Sequence, residues 1–185
     1  MIRAFVALPL PEALQAAVAD TIRRLKPALP EVGFVREEGV HVTLRFLGWT
    51  RAETLAALEP PLRAAAAACP PLAVAVRGIG TFPERGSPRV LWLGLVLPAA
   101  AGVLQEACER AAVAAGFEPE PRAFRPHLTL GRWRGRARRP ALPDVDLGTG
   151  GIDRLVLFRS QLRASGSEYT ALAVFPLEGA GAAVR

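Results

Sequence analysis

Apolar residues recur along this chain in two rhythms, one of period two and one of helical period, and the changes between them divide it into elements. Ile2 to Leu8 is a short apolar run containing Phe5 and Val6, bounded by Pro9 and Pro11, and it predicts a buried strand. From Glu12 to Lys26 the positions Leu14, Val18, Ile22 and Leu25 fall at helical spacing until Pro27 ends the pattern, which predicts a helix. Val40 to Leu47 alternates strictly, placing His41, Thr43 and Arg45 on one face of a strand and Val42, Leu44 and Phe46 on the other. Thr50-Arg51-Ala52-Glu53 then matches a capping box, opening a helical stretch that Pro60 and Pro61 are expected to kink or divide before Cys69. Leu72 to Arg77 and Val90 to Val96 predict strands, joined through Gly80, Pro83, Gly86 and Pro88 as a hairpin with a mobile tip. Ala100 to Ala115 is again helical, with Gly116 as its stop. His127-Leu128-Thr129-Leu130 repeats the earlier polar-faced strand, and Ile152 to Arg159 and Tyr169 to Leu177 complete the strand list.

The order of these elements contains an echo. Strand, helix, Gly-Phe and then His-x-Thr-Leu occur once as Val6-Ala7-Leu8, Gly33-Phe34 and His41, and again as Leu93-Gly94-Leu95, Gly116-Phe117 and His127. Leu8 precedes His41 by 33 residues and Leu95 precedes His127 by 32, a spacing that fits a duplicated unit. Two related halves would each present one histidine to a shared cleft. At 185 residues, about half of them hydrophobic, the chain suits one compact two-lobed domain over residues 1–185.

Composition narrows the function classes. No run approaches the roughly 20 apolar residues of a membrane-spanning helix, and Met1 to Leu10 lacks a signal peptide's basic start, so a cytoplasmic, soluble protein without a membrane partner is expected. Cys69 and Cys108 lie far apart among alanines and read as buried reduced thiols. Basic residues exceed acidic ones by 6, and every basic residue but Lys26 is arginine. In a chain also rich in alanine this balance alone says little about a nucleic-acid partner. Clustering says more. Arg132, Arg134, Arg136, Arg138 and Arg139 fall within eight positions, broken by Gly135 and closed by Pro140. A flexible basic loop of this kind suits phosphate contacts, whereas its outer members, Arg136 to Arg139, fit a solvated charge run equally well.

The chain holds only two histidines, and the same x-Thr-Leu follows both. Opening a five-membered cyclic phosphate needs a base for water and an acid for the departing ribose oxygen, and histidine, with an unperturbed pKa of about 6.5, serves as either. His41 and His127 are therefore the candidate catalytic pair. A threonine two residues along a strand lies about 6.6 Å farther on the same face, so Thr43 and Thr129 are placed to hydrogen-bond a phosphate held between the imidazoles. Arg132, five residues beyond His127, is the candidate charge-assisted contact to that phosphate or to the adjoining nucleotide. No pair of histidines or cysteines has metal-ligand spacing and no Gly-rich phosphate loop is present, so neither a metal nor a nucleotide cofactor is expected. Trp92 reads as core, and Trp133 as either core or a stacking surface.

His41-Val42-Thr43-Leu44-Arg45-Phe46-Leu47-Gly48 and Phe124-Arg125-Pro126-His127-Leu128-Thr129-Leu130-Gly131-Arg132 closely resemble the two-histidine phosphoesterase superfamily. Within it the chain is similar to the RNA 2′,3′-cyclic phosphodiesterases, also called 2′-5′ RNA ligases. The likeness extends to Arg3 to Leu8, Gly80-Thr81-Phe82-Pro83, Arg89 to Trp92, and Tyr169, Leu172, Phe175 and Leu177. It implies a two-lobed α+β fold, with pseudo-symmetric antiparallel sheets facing a central cleft and helices outside. It also implies hydrolysis of 2′,3′-cyclic RNA ends to 2′-phosphates, with His41 as proton donor to the leaving 3′ oxygen and His127 as base for water. The partner so implied is RNA bearing a 2′,3′-cyclic phosphate, and a monomer is expected. Two other readings stand beside this one: the same site run in reverse to join a 2′-5′ linkage, and a non-catalytic RNA-binding protein using the arginine loop and Trp133.

Overall fold

The computed structural model describes residues 1–163 and 166–180, so positions 181–185 of the expected unit lie outside the described residues. Its elements are β1 (Ile2–Pro9), α1 (Glu12–Leu25), β2 (Val32–Phe34), β3 (His41–Thr50), α2 (Ala52–Ala68), β4 (Leu72–Phe82), β5 (Val90–Val96), α3 (Ala99–Ala114), β6 (His127–Trp133), β7 (Asp146–Ile152), β8 (Arg154–Arg163) and β9 (Gly166–Pro176). The strands form two sheets, in the orders β3-β1-β8-β9 and β2-β6-β5-β4-β7, and every neighbouring pair is antiparallel.

The echo in the sequence is an echo in the topology. β1 leads through α1 to β3, which pairs back on it with Pro9 opposite His41, and β5 leads through α3 to β6, which pairs back with Gly94 opposite His127. The two units exchange strands, because β4 adds to β5 in the second sheet while β8 adds to β1 in the first. Each sheet thus draws on both halves of the chain, giving the expected α+β architecture in interleaved form.

The helices cover the outer faces. Leu14, Val18, Ile22 and Leu25 are the buried stripe of α1, which packs against β7. Gly150 permits that approach, since a Cβ there would sit 2.7 Å from Pro11 Cγ and 3.0 Å from Leu14 Cδ1. α2 and α3 pack on each other and against β9 and β3 respectively. Leu8, Leu93, Leu128 and Leu130 are fully buried in one continuous core, and each such side chain contributes about 1.5–3 kcal/mol of transfer free energy.

Several local expectations need correcting. Thr50 ends β3 as a buried residue, and the residue before α2 is Arg51 with no side-chain cap, so the capping box does not form. α2 runs undivided through Pro60 and Pro61. Both prolines face outward, so the carbonyls they leave without a donor turn to water while Leu55, Leu58, Leu62 and Ala66 hold the helix on its inner side. β2 and β7 have no counterpart in the sequence pattern, one being three residues long and the other rich in glycine. The tip between β4 and β5 is tied down, Arg139 donating to the carbonyls of Pro83 (2.8 Å) and Gly86 (3.4 Å). Trp133 is 9% exposed and belongs to the core, which removes it as a stacking surface. Trp92 is half-buried, its indole lying over Gly80 and 5.1 Å from the Phe82 ring. Cys69 and Cys108 are free and buried, and burial pushes the Cys108 thiol up to about 12, so it stays protonated and unreactive.

Candidate active site

Strict alternation fails at the same place in both histidine strands. In β3, Ala7 pairs with Thr43 and Val6 with Arg45, so Leu44 is an extra, unopposed residue. In β6, Trp92 pairs with Thr129 and Leu91 with Gly131, which leaves Leu130 as the extra residue. A bulge reverses which face the following side chains take. The fifth residue after each histidine, Phe46 or Arg132, consequently joins the histidine and threonine on the cleft face. This corrects the expectation for Arg45 and Phe46, which trade places: Arg45 is 6% exposed and Phe46 is 44% exposed. The inward Arg45 meets Glu109 at 3.0 Å and Glu120 at 3.9 Å, and donates to the Glu118 carbonyl.

His41, Thr43 and Phe46 from the first sheet, and His127, Thr129 and Arg132 from the second, line one cleft of about 370 Å³. The structure therefore brings together all five residues singled out from the sequence. It adds Arg3, Phe5, Arg36, Phe46 and Tyr169, which sequence reasoning missed. Phe46 is hidden by the bulge. Arg3 and Phe5 stand on β1, whose run from Ala4 to Leu8 is apolar throughout and reads as a buried strand, so that the one charged residue, near its start, does not mark a functional face. A second concavity of about 480 Å³ on the outer face of α2 is lined by alanines, Glu59, Pro60 and Arg63, and brings no pair of proton-transfer groups together.

Both imidazoles are held in the same way. His41 Nδ1 lies 2.7 Å from the Gly39 carbonyl and His127 Nδ1 lies 2.7 Å from the Arg125 carbonyl, each two residues upstream. A carbonyl only accepts, so Nδ1 carries the proton and Nε2 is left as the nitrogen available for chemistry. The ring environments differ. His41 stacks on Phe5 at 4.5 Å and meets the edge of Tyr169 at 5.1 Å. Tyr169 packs closely over Gly39, where a Cβ would come within 2.9 Å of its ring. Burial among these rings holds His41 down to about 4, against the raising effect of its Gly39 hydrogen bond. Among the described residues His127 has one such neighbour, the Phe82 ring at 5.3 Å.

The cleft is cationic. Arg3 donates to the Ser160 hydroxyl at 2.7 Å and lies 4.6 Å over the Phe46 ring, and Arg36 pairs with Glu168 at 2.9 Å. Arg132 has no side-chain hydrogen bond or ion pair among the described residues and is free to meet an anion. The same residues contain no cluster of three or more His, Cys, Asp or Glu side chains suited to a metal ion.

Comparison with known proteins identifies the family. Residues 8–92 match the family described as LigT like Phosphoesterase. The chain is 35% identical over 183 residues to the RNA 2′,3′-cyclic phosphodiesterase of Methanothermobacter thermautotrophicus, covering 95% of this chain and 99% of that relative. It is 33% identical over 181 residues to the protein of the same name from Geobacillus stearothermophilus, covering 95% of this chain and 57% of that longer relative. A crystal structure of TT0787 of Thermus thermophilus superposes with a TM-score of 0.85 at 29% identity, over 96% of this chain and 99% of that one. Similarity of this extent, spanning both sheets and both histidine strands, makes the chain a member of the LigT-like phosphoesterase family to which the RNA 2′,3′-cyclic phosphodiesterases belong.

Proposed function

We propose that this protein is an RNA 2′,3′-cyclic phosphodiesterase that hydrolyses cyclic ends to 2′-phosphomonoesters, acting as a monomer without metal or cofactor. The observation that carries the proposal is the matched pair of His-x-Thr strands, one per sheet, with identical Nδ1 anchors and a shared cleft. Acid and base are both supplied by the chain itself.

In the proposed step, water attacks phosphorus as His127 Nε2 takes its proton, the bond from phosphorus to the 3′ oxygen breaks, and His41 Nε2 delivers a proton to that oxygen. Thr43, Thr129 and Arg132 meet the phosphate oxygens as charge builds on them. The exposed ring of Phe46 offers a stacking face for the terminal base. His41 is neutral in the empty cleft at neutral pH, since its pKa is held near 4. An anionic phosphate favours the imidazolium, and an acid of low pKa releases its proton readily once charged.

Hydrolysis is favoured over 2′-5′ joining because water is about 55 M and RNA ends are scarce in an open cleft. Among the described residues no helix is long and apolar enough to cross a membrane, and we place the activity in cytoplasmic RNA processing. The test is incubation of a 2′,3′-cyclic-ended oligonucleotide and a 5′-hydroxyl acceptor in ¹⁸O water with excess chelator. The expected product is a 2′-phosphate carrying one ¹⁸O. A 2′-5′ joined product would assign the reverse reaction, and a 3′-phosphate would overturn the roles given to the two histidines.

A further inference from the structure

The arginines between positions 132 and 139 are not equivalent. Arg139 is structural, donating to the Thr81 hydroxyl and to the Pro83 and Gly86 carbonyls. The Ala137 N–H donates to Ser87 Oγ at 3.0 Å, and the Arg134 N–H to the Glu31 carbonyl at 3.3 Å. The segment is thereby held on the second lobe as a fixed frame. Arg134, Arg136 and Arg138 project from it, all exposed, and among the described residues none has a carboxylate partner. Several other surface cations are paired, as Arg24 with Asp20, Arg77 with Asp146 and Arg163 with Glu168 show. Those without a carboxylate among the described residues, such as Arg51 and Arg159, stand apart from one another in the sequence and not in a row. Positions 121–143 contain no acidic residue, so nothing nearby in the sequence neutralises this row.

The row also has a direction. Arg132 lines the cleft, and Arg134 Nε lies 3.7 Å from where a side chain on Gly33, another cleft residue, would begin. A row of unpaired guanidinium groups therefore starts beside the reacting phosphate, with Arg134 next to Gly33 of β2, and runs on toward the β4–β5 tip, where Ala137 and Arg139 are anchored. Resting on the function proposed above, we infer that Arg134, Arg136 and Arg138 form a track for the phosphates of the RNA strand upstream of the cyclic end. The preferred substrate is then an oligoribonucleotide and not a cyclic mononucleotide. A guanidinium fork meets each phosphate without reading its base, so the track confers length dependence without sequence preference.

The test compares full-length wild type with the triple variant Arg134→Ala, Arg136→Ala, Arg138→Ala. Binding is measured by fluorescence anisotropy, with a labelled hexaribonucleotide ending in a 2′-phosphate and with adenosine 2′-phosphate as competitor. The variant is expected to lose at least tenfold for the hexamer and less than twofold for the mononucleotide. Its slope of log affinity against log salt is expected to fall by about 2, three contacts at roughly 0.7 each. Equal losses on both ligands, or unchanged hexamer binding, would overturn the track. Loss of binding to phosphatidylserine vesicles with hexamer affinity intact would assign the row to a membrane surface and overturn it as well. Length-dependent binding by a wild type that opens no cyclic end would leave the track standing and remove the proposed activity. Hydrolysis without length dependence would do the reverse.

Discussion

At the scale of single residues, two chemically identical side chains are given different surroundings. Phe5 and Tyr169 shield His41, and its proton affinity falls accordingly. An imidazole titration followed by NMR should place His41 near 4, and Tyr169→Ala, which admits water to one edge, should move it up toward the ordinary value. The acid/base pair works with one proton between its two imidazoles, so uptake of a second proton, at the shielded His41, sets the low-pH limb of kcat/KM, which should fall on titration through about 4. A limb at the ordinary histidine value would contradict the shielding. Arg132 lines the cleft without a side-chain partner among the described residues, and Arg132→Ala should lower kcat by about 10²–10³ while Arg132→Lys, retaining charge but losing the fork, recovers part of it. His41, His127 and their threonines were legible because the same four-residue pattern occurs twice. Phe5 and Phe46 were not, since an apolar residue on a strand carries no mark of which side faces a cleft.

At the scale of elements, the paired bulges decide what the site contains. Reading β3 with an unbroken period of two sends Arg45 to the cleft, and one extra residue at Leu44 sends it into the protein. There it joins β3 to α3 and to the segment that precedes β6. Arg45→Met leaves the Glu109 carboxylate without its partner and should cost about 3–5 kcal/mol in denaturant unfolding. Adding Glu109→Gln should recover part of that loss. At Gly131, β2 approaches β6 so closely that a Cβ would meet Val32 Cγ1 at 2.5 Å and the Gly33 carbonyl at 2.9 Å. Gly131→Ala is expected to cost about 1–3 kcal/mol and to weaken substrate binding through the cleft residues of β2, measured as a lower Tm with a raised KM. The long periodic elements α1, β5 and α3 were legible within a residue or two of their ends. β2 and β7 were not, because their pairing with β6 and β4 forms them and their own sequence does not.

At the scale of the whole molecule, exchange of β4 and β8 between the two related units makes each sheet depend on the other half of the chain. The duplication was visible in the spacing of the histidines, while the exchange is set by which sheet edges meet and left no local signal. Burial of His41 also reaches this scale through proton linkage. The unfolded chain binds a proton near 6.5 that the folded protein refuses until about 4, so stability is greatest above the higher value and declines as pH falls between the two. This one group should remove about 3 kcal/mol between pH 7 and pH 4, a loss absent from His41→Phe. The account as a whole rests on two imidazoles, one from each sheet, acting on one phosphorus. The most direct test is turnover of a 2′,3′-cyclic-ended RNA in excess chelator by wild type, His41→Ala and His127→Ala. Wild type should turn over, and each variant should fall by about 10²–10⁴. Full rates in either variant, or a wild type that works only with added metal, would contradict it.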